Sequence, residues 1–407
     1  MLSEDQHMIN VRDYFKNKRA GREKKNRISY LEKIKSHKFM IFYRSILLFA
    51  LVAAAVAVML IQWKNKIYTQ SVTISSIETG KPQNGNLVAF SEYILTYSKD
   101  GASCMDGKGN AVWNETFEMQ NPMVDICRDV VAIGDYNGRS IYVMNTSGSL
   151  GEITTNRPIR NFCVAANGVV AVILDDSGLT YIYLFDKNGK ELVRIRTTMK
   201  DSGYPFSISL SPNGRLLCVS YLFVDSGELK SSVAFYNFGE VGQNQTDNYV
   251  SGYDYLDVIV GYTRFLDERT LFAVSDDRIM FFEGEQKPVS ISERLLNEDI
   301  QKIYYGKEDV GLVFNSMDGN SRYRLDVYHK TGELSSSIGF DMEFTDIVFA
   351  DDQIVIYNES ECQVFNRNGV EKYSGFFDKA VYALIPTSTT YRYILVTSDS
   401  IDTIELK

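Results

Sequence analysis

Cys104-Met105-Asp106-Gly107-Lys108-Gly109 reads as a strand end, a polar turn and a glycine, and the same text returns along the chain. Val143-Met144-Asn145-Thr146-Ser147-Gly148 and Leu184-Phe185-Asp186-Lys187-Asn188-Gly189 follow it. Val327-Tyr328-His329-Lys330-Thr331-Gly332 and Val364-Phe365-Asn366-Arg367-Asn368-Gly369 come later, with looser copies at Phe235–Gly239 and Phe281–Gly284. The glycine supplies the positive φ that a tight hairpin needs. Around each copy lie short apolar runs bounded by Gly, Asn and Asp, and residues beyond 68 show almost no helical period, which predicts an all-β fold. Composition agrees: 26 Tyr and 23 Phe favour half-buried pleated surfaces, and 28 Gly against 7 Pro leaves the turns to Gly and Asn.

A second set of turns counts the repeats independently. Acidic turns fall at Asp100, Asp135, Asp175/Asp176, Asp225, Asp276/Asp277, Asp318, Glu359 and Asp399. Their spacing of roughly 40 residues is the period of four-stranded propeller blades. The prediction is an eight-bladed β-propeller, with seven blades as the alternative count and an insertion near Gln243–Tyr253 in one of the longer gaps. Ser211-Pro212-Asn213-Gly214-Arg215-Leu216-Leu217-Cys218-Val219 resembles the hairpin of YVTN-type and TolB-like propellers, and the glycine turns resemble those of quinoprotein-like propellers. The layout is similar to a family of clostridial membrane-anchored propellers of unknown function. That resemblance implies a Gram-positive cell surface and carries over no catalytic residue.

Ring closure follows from the strand count. Within a blade the strands run A to D from the channel outward. The last copy supplies Val381–Pro386, Tyr391–Ser398 and Ile401–Leu406, which leaves its strand D to be found elsewhere. Gln70–Ile77 alternates polar and apolar residues and has no blade of its own. We expect it to pair with 401–406 and cover the edge. Strand D begins on the face of the C–D turns, so the linker 64–69 should enter there, beside Lys108, Lys187, Lys190, Lys330 and Arg367, which suit anionic lipid. The B–C turns with their eight acids, Asp100, Asp135, Asp176, Asp225, Asp276, Asp318, Glu359 and Asp399, should point the other way. They form the candidate binding face, for a cation or a basic ligand.

N-terminal to the propeller, Ser45–Ile61 is free of charge. Extended to 41–63 it has about the ~20 residues that cross a bilayer. Arg44 and Trp63 sit where snorkelling and interfacial anchors belong. Residues 1–40 carry 11 Lys/Arg against 5 Asp/Glu, although the whole chain has a formal charge of -9. The positive-inside rule then places this basic tail in the cytoplasm and 64–407 outside, as a single-pass plasma-membrane protein. The run is too long, and its preceding tail too extended, for a cleaved signal peptide. Apolar residues at helical spacing in the tail fit either a surface helix or a solvated arm.

The chemistry sought in the propeller is sparse. Its five cysteines (104, 127, 163, 218, 362) are odd in number, and Cys127 and Cys163 occupy a blade position filled by Leu210 in a third copy, which marks them as small hydrophobes. His329 is the propeller's single histidine and stands where other copies have Asp or Asn, so it reads as a turn residue. Trp113 is its single tryptophan and no two cysteines are adjacent, which argues against a quinone cofactor clamp. The acidic pairs 175/176, 276/277 and 351/352 lack an EF-hand pattern. No catalytic residue, cofactor or metal site is assigned. The excess of acids excludes phosphate-driven nucleic-acid binding. The expectation is a non-enzymatic envelope scaffold, tethered to membrane lipid, that binds a protein, peptide or glycan. The alternatives are a propeller hydrolase or lyase with a carboxylate or metal site in the channel, and a transmembrane sensor.

Overall fold

The computed structural model describes residues 11–64, 66–79, 85–176, 179–198, 202–225, 227–316, 319 and 321–407. Two compact units divide the chain, residues 1–66 and 67–407. The first is one helix, Val11–Lys64, within which Glu32–Met59 is long and apolar enough to cross a membrane. The helix runs back through the basic tail as well as the expected 41–63. Residues 11–64 contain no proline and a single glycine, Gly21, and their Lys, Arg, Glu, Ala and Leu content favours helix throughout.

The second unit holds eight four-stranded antiparallel sheets, each in simple up-and-down order. Their inner strands, blades 1 to 8 in turn, are Asn86–Phe90, Pro122–Cys127, Ile159–Val164, Tyr204–Leu210, Val260–Phe265, Ile300–Tyr305, Asp346–Ala350 and Val381–Pro386. Seven blades are continuous in sequence. In the eighth, Ser71–Glu78 lies outermost and pairs with Ser400–Leu406, Ser71 opposite Leu406 and Ile77 opposite Ile401. The two chain segments lock together beside this strand: Thr69 N–H donates to Lys407 O at 3.0 Å and Lys407 N–H to Gln70 O at 2.8 Å. Tyr68 N–H reaches Lys372 O of blade 7 at 2.7 Å, and its ring lies 4.4 Å from that of Tyr391. The linker thus enters on the face of the A–B and C–D turns.

Alternation along each strand puts apolar side chains on both faces of a blade, and each face packs on its neighbour. Eight hydrophobic clusters result, one at every blade–blade interface. Phe235, Phe272, Phe281, Phe282 and Phe314 are fully buried in them. At about 25 cal/mol per Å² of apolar area removed from water, these interfaces dominate the stability of the ring. Polar latches sit between them. Trp113 Nε1 on the outer strand of blade 1 donates to Asn145 O in the C–D turn of blade 2 at 2.9 Å. The expected insertion is the C–D connection of blade 4, where a helical turn at Glu240–Gln243 and a 3-10 turn at Thr246–Asn248 precede the outer strand Tyr249–Leu256.

Candidate functional site

All the acids of the candidate face that fall in described residues lie at B–C hairpins, and so on the face opposite the linker; Asp318 falls outside the described residues. Several have local work. Asp135 accepts the backbone N–H of Gln120 at 3.1 Å and of Asn121 at 2.7 Å, tying down the loop that enters its own blade. Asp276 does the same for Ile259 N–H at 3.0 Å. Asp399 accepts from Lys379 Nζ at 3.0 Å and from Thr397 Oγ1, and Lys379 holds its carboxyl below the usual range. Asp100 and Glu359 are exposed and, among the described residues, their carboxylates meet no hydrogen-bond donor or cation. Turn chemistry explains part of the acidic pattern, and Asp100 and Glu359 are left facing solvent.

The channel is asymmetric. Arg264, on the inner strand of blade 5, reaches across to Asp125 on the inner strand of blade 2, with Nη1 2.6 Å from Oδ1. Their side chains are only 15% and 16% exposed. Asp125 Oδ2 also accepts Val164 N–H of blade 3 at 2.7 Å, and the guanidinium stands 5.3 Å from the Tyr305 ring centre. Burial acts to lower the Arg264 pKa, but Asp125 outweighs it and holds the cation well above its ordinary range. Beside this bridge, Ser207 Oγ shares a proton with Thr263 Oγ1 at 3.0 Å and accepts Thr263 N–H at 3.1 Å, and Ser209 Oγ accepts Phe265 N–H at 2.9 Å. On the surface above, Arg128 of blade 2 meets Glu268 of blade 5 at 2.5 Å. Neither partner of the buried pair stands out in the sequence, because nothing local says that residues so far apart meet across a channel.

Blades 6, 7, 8 and 1 leave an opening of about 750 Å³ on the A–B face. Its wall includes Glu92, Glu308, Asp309, Phe349, Asp351, Asp352 and Arg367. Asp351/Asp352 is thus the one acidic pair singled out from the sequence that lines this opening. Glu92 is held by Ser388 N–H at 2.6 Å. Arg367 Nε binds Asp309 Oδ2 at 2.6 Å, and Lys330 Nζ binds Glu308 at 3.3 Å and Asp267 at 3.4 Å. Burial raises the Asp309 pKa against the pull of Arg367, whereas Lys330 lowers that of Glu308. Two of the five cations expected to meet lipid are therefore engaged in ion pairs, while Lys108, Lys187 and Lys190 are exposed.

The thiols and the histidine are structural. Cys104, Cys163, Cys218 and Cys362 are buried and Cys127 is half-buried, all five unpaired. Burial pushes Cys104 up to about 11 and Cys362 to about 12, far from a reactive thiolate. His329 Nδ1 lies 3.0 Å from Thr331 Oγ1, across its own C–D turn. Among the described residues no group of three or more His, Cys, Asp or Glu is placed to hold a metal ion.

Solved structures resemble this architecture at low identity. BamB from Moraxella catarrhalis is 15% identical over 83% of this chain and 100% of its own, with a TM-score of 0.48. The computationally designed Ika8 protein is 12% identical over 84% of this chain and 100% of its own (TM-score 0.49). Sqt1 from Saccharomyces cerevisiae is 11% identical over 82% and 100% (TM-score 0.49). No curated protein matches the sequence. A family model does: residues 64–406 match a family of unknown function, DUF5711.

Proposed function

The chain belongs to the DUF5711 family of unknown function, and we propose that it is a membrane-tethered, non-enzymatic binding module of the cell envelope. The helix 11–64 anchors it, with the basic tail cytoplasmic and the propeller outside. The observation that carries this reading is the common face of the acidic B–C turns, directed away from the side on which the linker enters. A rigid ring with its carboxylates gathered on one side attracts a cationic partner, whether protein, peptide or cation-bearing glycan, and repels nucleic acid. The paired charges in the channel support the non-enzymatic part: Asp125 and Arg264 neutralise each other, and Asp309 is committed to Arg367. A general acid or base must be free to exchange a proton with a substrate, and these groups are engaged in ion pairs instead.

Two experiments test the reading. Protease added to wall-stripped cells should digest the propeller and spare an N-terminal tag; loss of the tag alone would reverse the orientation. The double substitution Asp100→Lys/Glu359→Lys, at carboxylates without local work, should abolish capture of the partner by the full chain in detergent. Undiminished capture would remove the acidic face from consideration. A carboxylate enzyme is the second reading, and the opening beside Asp351 and Asp352 is what favours it. Turnover of an envelope glycan that disappears in Asp351→Asn/Asp352→Asn would establish it in place of the first.

A further inference from the structure

Five of the eight inner strands carry a β-bulge at the end nearest the B–C face. In each, one residue stands unpaired between two that are in register: Arg160, Phe206, Gly261, Gln301 and Tyr382, on blades 3, 4, 5, 6 and 8. A bulge re-aims the side chain it carries, and repeated bulges at one rim point to a shaped mouth. Three of the five are accounted for. Arg160 turns to Asp175 and Asn137, Gln301 donates to Asp299 O, and Gly261 has no side chain. Phe206 and Tyr382 remain, 45% and 43% exposed. They sit on blades 4 and 8, which oppose each other in an eight-bladed ring. A Cβ at Gly261 would meet the Phe206 ring at 3.9 Å, an ordinary van der Waals distance, so that ring lies beside the inner strand of blade 5.

Among the described residues the exposed charges around this mouth are mostly acidic, with Lys99, Arg139 and Lys302 the exposed cations interspersed. The loops that feed the inner strands expose Glu118, Asp257, Asp299 and Asp378. Among the described residues of these loops the two cations are engaged: Arg157 stacks on Tyr181 at 4.5 Å, and Lys379 binds Asp399. We propose that the B–C mouth of the channel binds a basic, extended peptide segment, with an apolar side chain of the peptide lodged between Phe206 and Tyr382. This rests on the acidic-face reading above and gives it an anchor. Opposed aromatics supply the short-range energy and the acid collar supplies steering and selection for Lys and Arg.

The test uses the full chain in zwitterionic detergent and three short fluorescent probes: a peptide alternating Lys and Leu, an oligolysine, and a peptide alternating Glu and Leu. The Lys–Leu peptide should bind best, its affinity falling as salt rises. Phe206→Ala and Tyr382→Ala should each weaken it by about tenfold or more, the effect typical of a central aromatic anchor. Val370→Ala, exposed on the opposite face, should change nothing. Phe206→Gln, which removes less side-chain volume beside Gly261, serves if Phe206→Ala fails to fold. If Lys–Leu and oligolysine bind alike and the aromatic substitutions leave both unchanged, the anchor is refuted while the acidic surface stands. If the Glu–Leu peptide binds as well as Lys–Leu, the charge selection is refuted. If neither cationic probe binds, the anchor and the reading beneath it both fall.

Discussion

One arc of the ring is closed and the other is open. Between blades 2 and 5 the channel is bridged by Asp125–Arg264 and laced by the hydroxyls of Ser207, Ser209 and Thr263. Between blades 6 and 1 it opens into about 750 Å³ whose ion pairs, Arg367–Asp309 and Lys330–Glu308, run along the wall and leave the space clear. Both arcs use the same blade repeat and the same kind of blade–blade core. The difference is a few inner-strand side chains, which shows that one scaffold can be stiffened on one side and left accessible on the other. Charge in the closed arc holds distant blades together; charge in the open arc acts within one blade or between neighbours.

The largest expected effect breaks the bridge. Asp125→Ala leaves Arg264 buried without its counter-ion and strips Val164 N–H of its acceptor, so it should cost about 3 kcal/mol or more. Glu308→Ala in the open arc removes a half-exposed partner of Lys330 and Arg367 and should cost about 1 kcal/mol or less. Urea unfolding of both variants gives the contrast directly. Equal shifts in midpoint would mean that the two arcs are held in the same way.

Ser207→Ala ranks next. It orphans the buried Thr263 N–H, and a buried donor left unsatisfied costs about 1–3 kcal/mol. A midpoint like that of the wild type would show that water fills the place of the lost hydroxyl.

What the sequence could reveal of this comparison follows from where the signals live. Gly109, Gly189, Gly332 and Gly369 all have positive φ, and such local demands repeat blade by blade, so the blade count was legible. Pairing of Ser71–Glu78 with Ser400–Leu406 was legible too, because an incomplete last copy and a spare alternating strand leave one economical solution. Helix in the basic tail was legible only as apolar spacing that a solvated arm would also show. The bridge was not legible at all. Asp125 and Arg264 sit at unremarkable strand positions, and their meeting depends on how strongly each inner strand leans into the channel. The five bulges were hidden for the same reason: a bulge is a register relation between two strands, and neither strand announces it alone.

Titration separates the arcs more finely. Asp267 of blade 5 is pushed up by burial but more than compensated by the N–H groups of Arg269 and Thr270 and by Lys330, so its pKa is lowered. Its stabilisation is present above the ordinary carboxylate range and is lost as pH falls through the lowered value. Asp346 of blade 7 is raised by burial, only partly offset by Ile347 N–H and Lys302. Its contribution runs the other way, full at low pH and lost as pH rises through the raised value. Asp346→Asn should therefore stabilise the propeller at pH 7, by about 1 kcal/mol or less, and leave it nearly unchanged at pH 4. Asp267→Asn should destabilise at pH 7 and flatten the acid limb. The measurement is the urea midpoint at the two pH values, and an Asp346→Asn gain that is larger at pH 4 would contradict the assigned direction.

The smallest effect concerns the outer tie of the closed arc. Arg128 and Glu268 meet at 2.5 Å, but their side chains are 54% and 40% exposed. Water and salt screen such a pair, and ordering two long side chains costs entropy, so its net worth is about 0–1 kcal/mol despite the short distance. Arg128 also occupies a positive φ of 57° in its A–B turn, a conformation costly for most residues that have a Cβ. Arg128→Gly thus removes the ion pair and relieves the backbone at once. The two terms oppose, and the variant should match or slightly exceed the wild type in stability. Arg128→Ala keeps the backbone cost and loses the pair, and should fall below Arg128→Gly by about 1 kcal/mol. If both variants instead lose as much as Asp125→Ala, the closed arc is held from its surface, and the buried bridge between Asp125 and Arg264 only follows.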